Sequence, residues 1–287
     1  MKIGNVLKSN WIYVLWFVLY FALAVLVFSF VWYGFLIVTI IYAVSIGIAL
    51  SGAGEKLLRA LNGVRHISTQ EEKESILPLF QEVYRRAKET TPELSDNIQV
   101  FMTDDMCVNA YAFGKSTVVV TKGLIDTLEE EQVMGMLAHE FGHIVNGHTV
   151  MLLLNLVGNG IFSIFLLITR MFMFFIQGFV SFMDDNGGWG QVMAFLIRIS
   201  FEWSLMFYTY IATAILMINS RKNEFQADNY ALEIGFGEGL LQGLYVFQKM
   251  NMGQSKRLLE RLTSSHPNLA YRIERLENNA KRLTGSK

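Results

Sequence analysis

Residues His139-Glu140-Phe141-Gly142-His143 place two imidazoles four positions apart, with a carboxylate beside the first. On a helix, positions i and i+4 leave the same face, so both rings can hold one tetrahedral zinc ion. Glu140 falls one step round, where it reaches a metal-bound water more readily than the metal. Two ligands, a base and one open coordination position are the parts that metal-assisted peptide hydrolysis needs.

A helix must carry this motif, and the surrounding residues provide one. Thr127 and Glu130 have the spacing of a capping box, and Glu129, Glu130 and Glu131 place negative charge on the positive end of the helix dipole. Val133, Met136, Leu137, Phe141 and Ile144 recur at helical spacing, and Asn146-Gly147 is a stop signal.

A third ligand is still required. His148 would fall about 140° round such a helix from His143. The longer motif with Gly and His at 146 and 149 fails, because Asn146 and Thr149 stand there. Glu224 is the better candidate: Asn223-Glu224-Phe225-Gln226-Ala227-Asp228 sets a second carboxylate four positions on, on the same helix face. Glu224 can then ligate while Asp228 fixes the tautomer of a ligand imidazole.

With these motifs in place the chain resembles the glutamate-zincin metalloproteases, and among them the HtpX-type membrane proteases, relatives of the prenyl-protein processing protease. The resemblance also rests on residues 109–114 (Asn-Ala-Tyr-Ala-Phe-Gly), on 118–124, on the segment from Ala138 to His148, and on Ser264-Ser265-His266-Pro267-Asn268 with Arg272. It implies one zinc per chain held by His139, His143 and Glu224, with Glu140 as the base. It also implies His266 as donor to the developing oxyanion, Asp228 and Arg272 behind the ligands, and a role in removing misfolded or damaged membrane proteins. A prenyl-protein-type or other specific processing protease is the alternative. A scaffold keeping a structural zinc would leave Glu140 idle.

Composition points to a membrane. Hydrophobic residues make up 52% of the 287 and charged residues only 17%, against roughly 25% charged in globular domains. From Trp11 to Leu50 there is no charge. As one helix this stretch would be about twice the ~30 Å hydrocarbon core, so it folds back near Val31-Trp32-Tyr33-Gly34. Its length and the apolar segment that follows speak against a cleaved signal peptide. A second apolar block runs from Met151 to Ile218, read as spans of about 151–178 and 192–218, with Arg198 and Glu202 pairing at i and i+4.

The expected architecture is therefore an α-helical integral membrane protein with four transmembrane helices and an α+β zincin-like catalytic domain. Residues 1–51 form a transmembrane hairpin, 52–150 and 219–287 the two parts of the catalytic domain, and 151–218 a second transmembrane pair with an outer loop. Lys2, Lys8, Lys56, Arg59, Arg65, Arg221 and Lys222 flank the spans. They place both termini and the site on the cytoplasmic side of the plasma (inner) membrane. Glu129 to Gln132 argue against burying the motif helix in lipid. The partners expected are the bilayer and membrane-protein substrates. A net charge of −1 without a basic cluster gives no case for nucleic acid. The single cysteine, Cys107, suits a reducing compartment and reads as a small buried hydrophobe.

Overall fold

A computed structural model describes residues 10–29, 32–183, 188–251 and 269–285. The fold is mostly helical with one small sheet. Helix α1 (Trp11–Phe28) packs on α2 (Gly34–Leu50), where Phe17 and Phe21 both meet Tyr42 edge-on at 5.2 Å. Between them Trp32 is 92% exposed, at the position expected for a hairpin tip. Ser51 is extended, and α3 (Gly52–Leu61) leaves α2 at 78°.

That bend carries Glu55 to the sheet. Its carboxylate, buried, accepts hydrogen bonds from the Lys115 N–H at 2.6 Å, Ser116 Oγ at 2.6 Å and Thr117 Oγ1 at 2.8 Å. Three donors on one carboxylate offset much of the cost of burying its charge. These donors sit at the turn of a hairpin, so Glu55 fastens the apolar hairpin to the sheet.

The sheet consists of β1 (Gln99–Thr103), β2 (Ala110–Phe113) and β3 (Thr117–Thr121) in the order β1-β3-β2. β3 runs parallel to β1 and antiparallel to β2, with Phe113 opposite Thr117. All five β3 residues are buried because both faces are covered. Val118 and Val120 join the main core, while Val119 joins Phe101 and Phe113 under Leu58 of α3. The run of β-branched residues at 117–121 fits a strand enclosed on both sides.

Helix α4 (Gln70–Thr90) closes one side of the core, its N-terminus capped by Thr69 Oγ1 accepting from the Glu72 N–H. A short α5 (Lys122–Thr127) leads into the motif helix α6 (Glu130–Val145). The expected Thr127–Glu130 capping box is replaced here. Thr127 ends α5, Leu128 and Glu129 are extended, and the Glu129 N–H donates to Gln132 Oε1 at 3.2 Å. A residue that closes one helix cannot also cap the next, so the start moves two positions on.

Two long helices follow, α7 (His148–Met183) and α8 (Trp189–Glu233), then α9 (Gly237–Asn251) and α10 (Leu269–Gly285). α8 runs unbroken from the apolar block through Glu224 and Asp228, so 218/219 falls inside a helix, as does 150/151 in α7. Among the described residues no single helix is long and apolar enough to cross a membrane; α2 and α3 together pass by length and composition, but bent. α1 has 18 residues and α2 has 17, which at ~1.5 Å per residue falls just short of the ~30 Å core. Glu202 pairs with Arg170 on α7 at 2.6 Å rather than with Arg198, because the two antiparallel helices bring a better-placed guanidinium across.

Candidate metal centre

The site is assembled where α6 and α8 touch. Gly142 makes the contact possible: a Cβ there would stand 2.7 Å from Ala227 Cα and 2.9 Å from its carbonyl oxygen. With both backbones this close, side chains from the two helices meet at their first polar atoms. The far end of α6 is tied down by Asn10, whose Nδ2 donates to the Asn146 carbonyl at 3.1 Å.

His139 Nε2 and His143 Nε2 lie 3.2 Å apart. Glu224 closes the triangle, with Oε2 3.4 Å from His139 Nε2 and Oε1 3.3 Å from His143 Nε2. A tetrahedral zinc ion with bonds near 2.05 Å has ligand–ligand edges of about 3.3 Å. The three donors therefore fit that ion on spacing and on type.

What lies behind the donors favours a cation. His139 Nδ1 meets Asp228 Oδ1 at 2.8 Å, which turns Nε2 toward Glu224 and His143. Arg272 clamps both carboxylates, with Nε and Nη2 on Asp228 at 2.9 and 2.6 Å and Nη1 on Glu224 at 2.9 Å. All three of these residues are buried. Burial and Arg272 oppose charge on His139, but the Asp228 and Glu224 carboxylates outweigh them and push it up to about 9. Burial also works against charge on Asp228, yet Arg272 and His139 hold it below the ordinary aspartate value. Arg272 stays charged, because Asp228 and Glu224 overcome its burial.

Glu140 is 3% exposed, and its buried Oε1 takes no hydrogen bond from the described residues. An orphaned buried carboxylate oxygen is costly unless a ligand or water satisfies it. Its place next to His139 makes it the natural partner of a reacting water.

The sequence model of peptidase family M48 matches residues 70–280. The chain belongs to peptidase family M48. A protease HtpX homolog of Desulfotalea psychrophila is 31% identical over 199 residues, covering 63% of this chain and 66% of that protein. Another, of Chlorobium phaeobacteroides, is 30% identical over 209 residues, covering 66% and 70%. The protease HtpX of Vibrio cholerae is 28% identical over 239 residues, covering 77% and 78%. The chain spans just under two thirds of the length of the first curated relatives it matches, 66% and 62%. The crystal structure of S. mikatae Ste24p aligns with a TM-score of 0.46 at 20% identity, over 86% of this chain and 58% of that one. The resemblance to HtpX-type metalloproteases read from the motifs is borne out at the level of family.

The structure brings together several residues that the sequence singled out. His139, His143 and Glu224 come together, with Asp228 and Arg272 behind them. His266 lies outside the described residues. Cys107 is exposed rather than buried, because it sits in the loop after β1 with its N–H donated to Asp105 Oδ1 at 2.9 Å.

His148 departs from the geometry of a continued helix. α6 stops at Val145, Gly147 turns the chain with φ +71°, and the His148 ring swings back over His143, Nδ1 to Nδ1 at 3.0 Å. Its other nitrogen faces Gln226 Oε1 at 3.0 Å. Burial first, and the neighbouring His143 ring second, pull His148 down to about 3, so it is neutral. The sequence reading overlooked Gln226; its position two after Glu224 was the available signal.

Proposed function

We propose that this M48 chain is a zinc-dependent, membrane-bound endopeptidase that cleaves misfolded or damaged membrane proteins at the cytoplasmic face. The carrying observation is the triangle of His139, His143 and Glu224 donors with edges of 3.2 to 3.4 Å, beside the unsatisfied carboxylate of Glu140. Zinc held there supplies Lewis acidity, which activates a water near neutral pH and polarises the scissile carbonyl. Glu140 takes the proton of the attacking water and returns it to the leaving amine. Asp228 and Arg272 keep the His139 and Glu224 donors aimed, and His266 serves as donor to the oxyanion.

Placement supports the reading of substrate and compartment. α7 begins at His148, directly after the motif helix, and its exposed residues include Leu152 and Leu156. α1, α2 and the apolar parts of α7 and α8 form the four membrane crossings, and the centre sits against their cytoplasmic ends. Residues 1–51 and 151–218 are the two membrane pairs, 52–150 and 219–287 the catalytic parts.

Glu140→Gln tests the chemistry. The detergent-purified variant keeps about one zinc per chain and loses cleavage of casein and of a model membrane protein; cleavage retained near the parent rate removes Glu140 from its role. Topology is tested by one cysteine at Asn186 in a Cys107→Ser background, which reacts with an impermeant maleimide on intact cells. A cysteine at Ser265 stays unlabelled until the cells are opened, and the reverse pattern overturns the cytoplasmic placement.

A further inference from the structure

The two histidine donors are aimed by different means. His139 rests on a carboxylate, Asp228, whereas among the described residues His143 has no carboxylate on its second nitrogen: its Nδ1 faces His148 Nδ1 at 3.0 Å, and His148 Nε2 faces Gln226 Oε1 at 3.0 Å. We propose that His148 and Gln226 are positioning residues for His143, a neutral hydrogen-bond chain that keeps its Nε2 bare and turned to the metal. The inference rests on the zinc reading above.

Hydrogen-bond direction carries the argument. A carboxamide oxygen only accepts, so Gln226 Oε1 requires the His148 proton on Nε2. His148 Nδ1 is then the bare nitrogen and can only accept. The facing His143 Nδ1 must therefore donate, and a neutral imidazole protonated on Nδ1 has its lone pair on Nε2. That is the atom 3.2 Å from His139 Nε2 and 3.3 Å from Glu224 Oε1.

The fold holds the chain in place. His148 is 4% exposed, and the next residue, Thr149, donates its Oγ1 proton to the Gly114 carbonyl at 2.6 Å, which anchors the start of α7 to the β2–β3 turn. Gln226 projects from α8 two residues past Glu224. One helix thus supplies a ligand, the orienter of His139 and the far end of the chain that orients His143.

The test is zinc affinity by chelator competition on the full-length protein in detergent, with Glu224→Ala as reference. His148→Leu loosens zinc about 10–100-fold, the range for partners that orient ligands. His148→Asn presents an acceptor oxygen where Nδ1 stood and restores most of that loss. Gln226→Leu loosens zinc by less than His148→Leu, and Gln226→Glu, which can only accept, does not loosen it. The proposal is overturned if His148→Leu binds like the parent, or if His148→Asn is as weak as His148→Leu. Should the His148 variants not fold, the Gln226 pair decides, and equal affinities for Gln226→Leu and Gln226→Glu overturn it. If Glu224→Ala also binds zinc like the parent, the zinc reading itself fails, a result distinct from failure of the chain alone.

Discussion

Over residues 223–231, α8 buries Asn223, Glu224, Ala227, Asp228, Tyr230 and Ala231; over 189–210 the same helix leaves Trp189, Val192, Ile197, Trp203, Met206 and Tyr210 exposed. At the first end polar groups are inside, and Glu224 and Asp228 are held there by Arg272 and the site histidines. At the second end large apolar groups are outside, and large exposed apolar surface calls for a covering, which lipid supplies under the proposed membrane reading. The helix itself does not distinguish the two ends, since its backbone bonds are satisfied within the helix either way. Only the side chains mark where one solvent gives way to the other.

That contrast breaks most sharply at Glu224. Glu224→Ala removes a donor, so its loss of zinc affinity exceeds the ~10–100-fold expected of an orienting partner, and cleavage disappears with the metal. Asp228→Ala comes next: zinc loosens about 10–100-fold. It also leaves buried Arg272 with Glu224 as its remaining carboxylate, so the midpoint of thermal unfolding falls, the cost staying below the ~3–5 kcal/mol of a buried ion pair left wholly unpaired on one side. Unchanged melting in Asp228→Ala would show that Arg272 is not held as described.

Gly142→Ala sharpens the comparison from the other helix. The added methyl meets Ala227 backbone at 2.7 Å, which neither helix can yield cheaply, and the expected cost is about 1–3 kcal/mol in denaturant unfolding. Trp203→Ser, at the lipid-facing end, is the smallest: zinc affinity and stoichiometry stay at parent values while partitioning into detergent micelles weakens. A zinc affinity that drops in Trp203→Ser as it does in Asp228→Ala would mean the two ends are not separate in function.

Much of the centre was legible because it depends on helical spacing alone. His139 and His143 at i and i+4, and Glu224 and Asp228 likewise, define faces whatever the tertiary structure does. The Asn146-Gly147 stop was legible for a similar local reason. Gly142 gave no warning of its purpose, since the need for it arises only when α8 arrives. His148 was misplaced because its position depends on the turn at Gly147, which ends the helix on which a 140° angle would have meaning. Ends of the proposed spans were illegible for another reason: an apolar pattern stops where lipid stops, but α7 and α8 have no cause to break there. Glu55, far from any motif, could not announce that it would bind the turn at 115–117.

Because Glu224 lies near the end of the second long helix and Arg272 beyond it, the order of synthesis governs when the proposed centre can be completed. After His143 leaves the ribosome, residues 144–223 must still be made before the proposed third donor exists, an interval of about 4–16 s at elongation rates of ~5–20 residues per second. Through that interval the chain carries two histidines and an unaided Glu140. Arg272 follows later still, so the carboxylates on α8 also wait for their clamp. Under the proposed protease reading, a chain laid out in this order cannot cut its own nascent segments before residue 224 has been made.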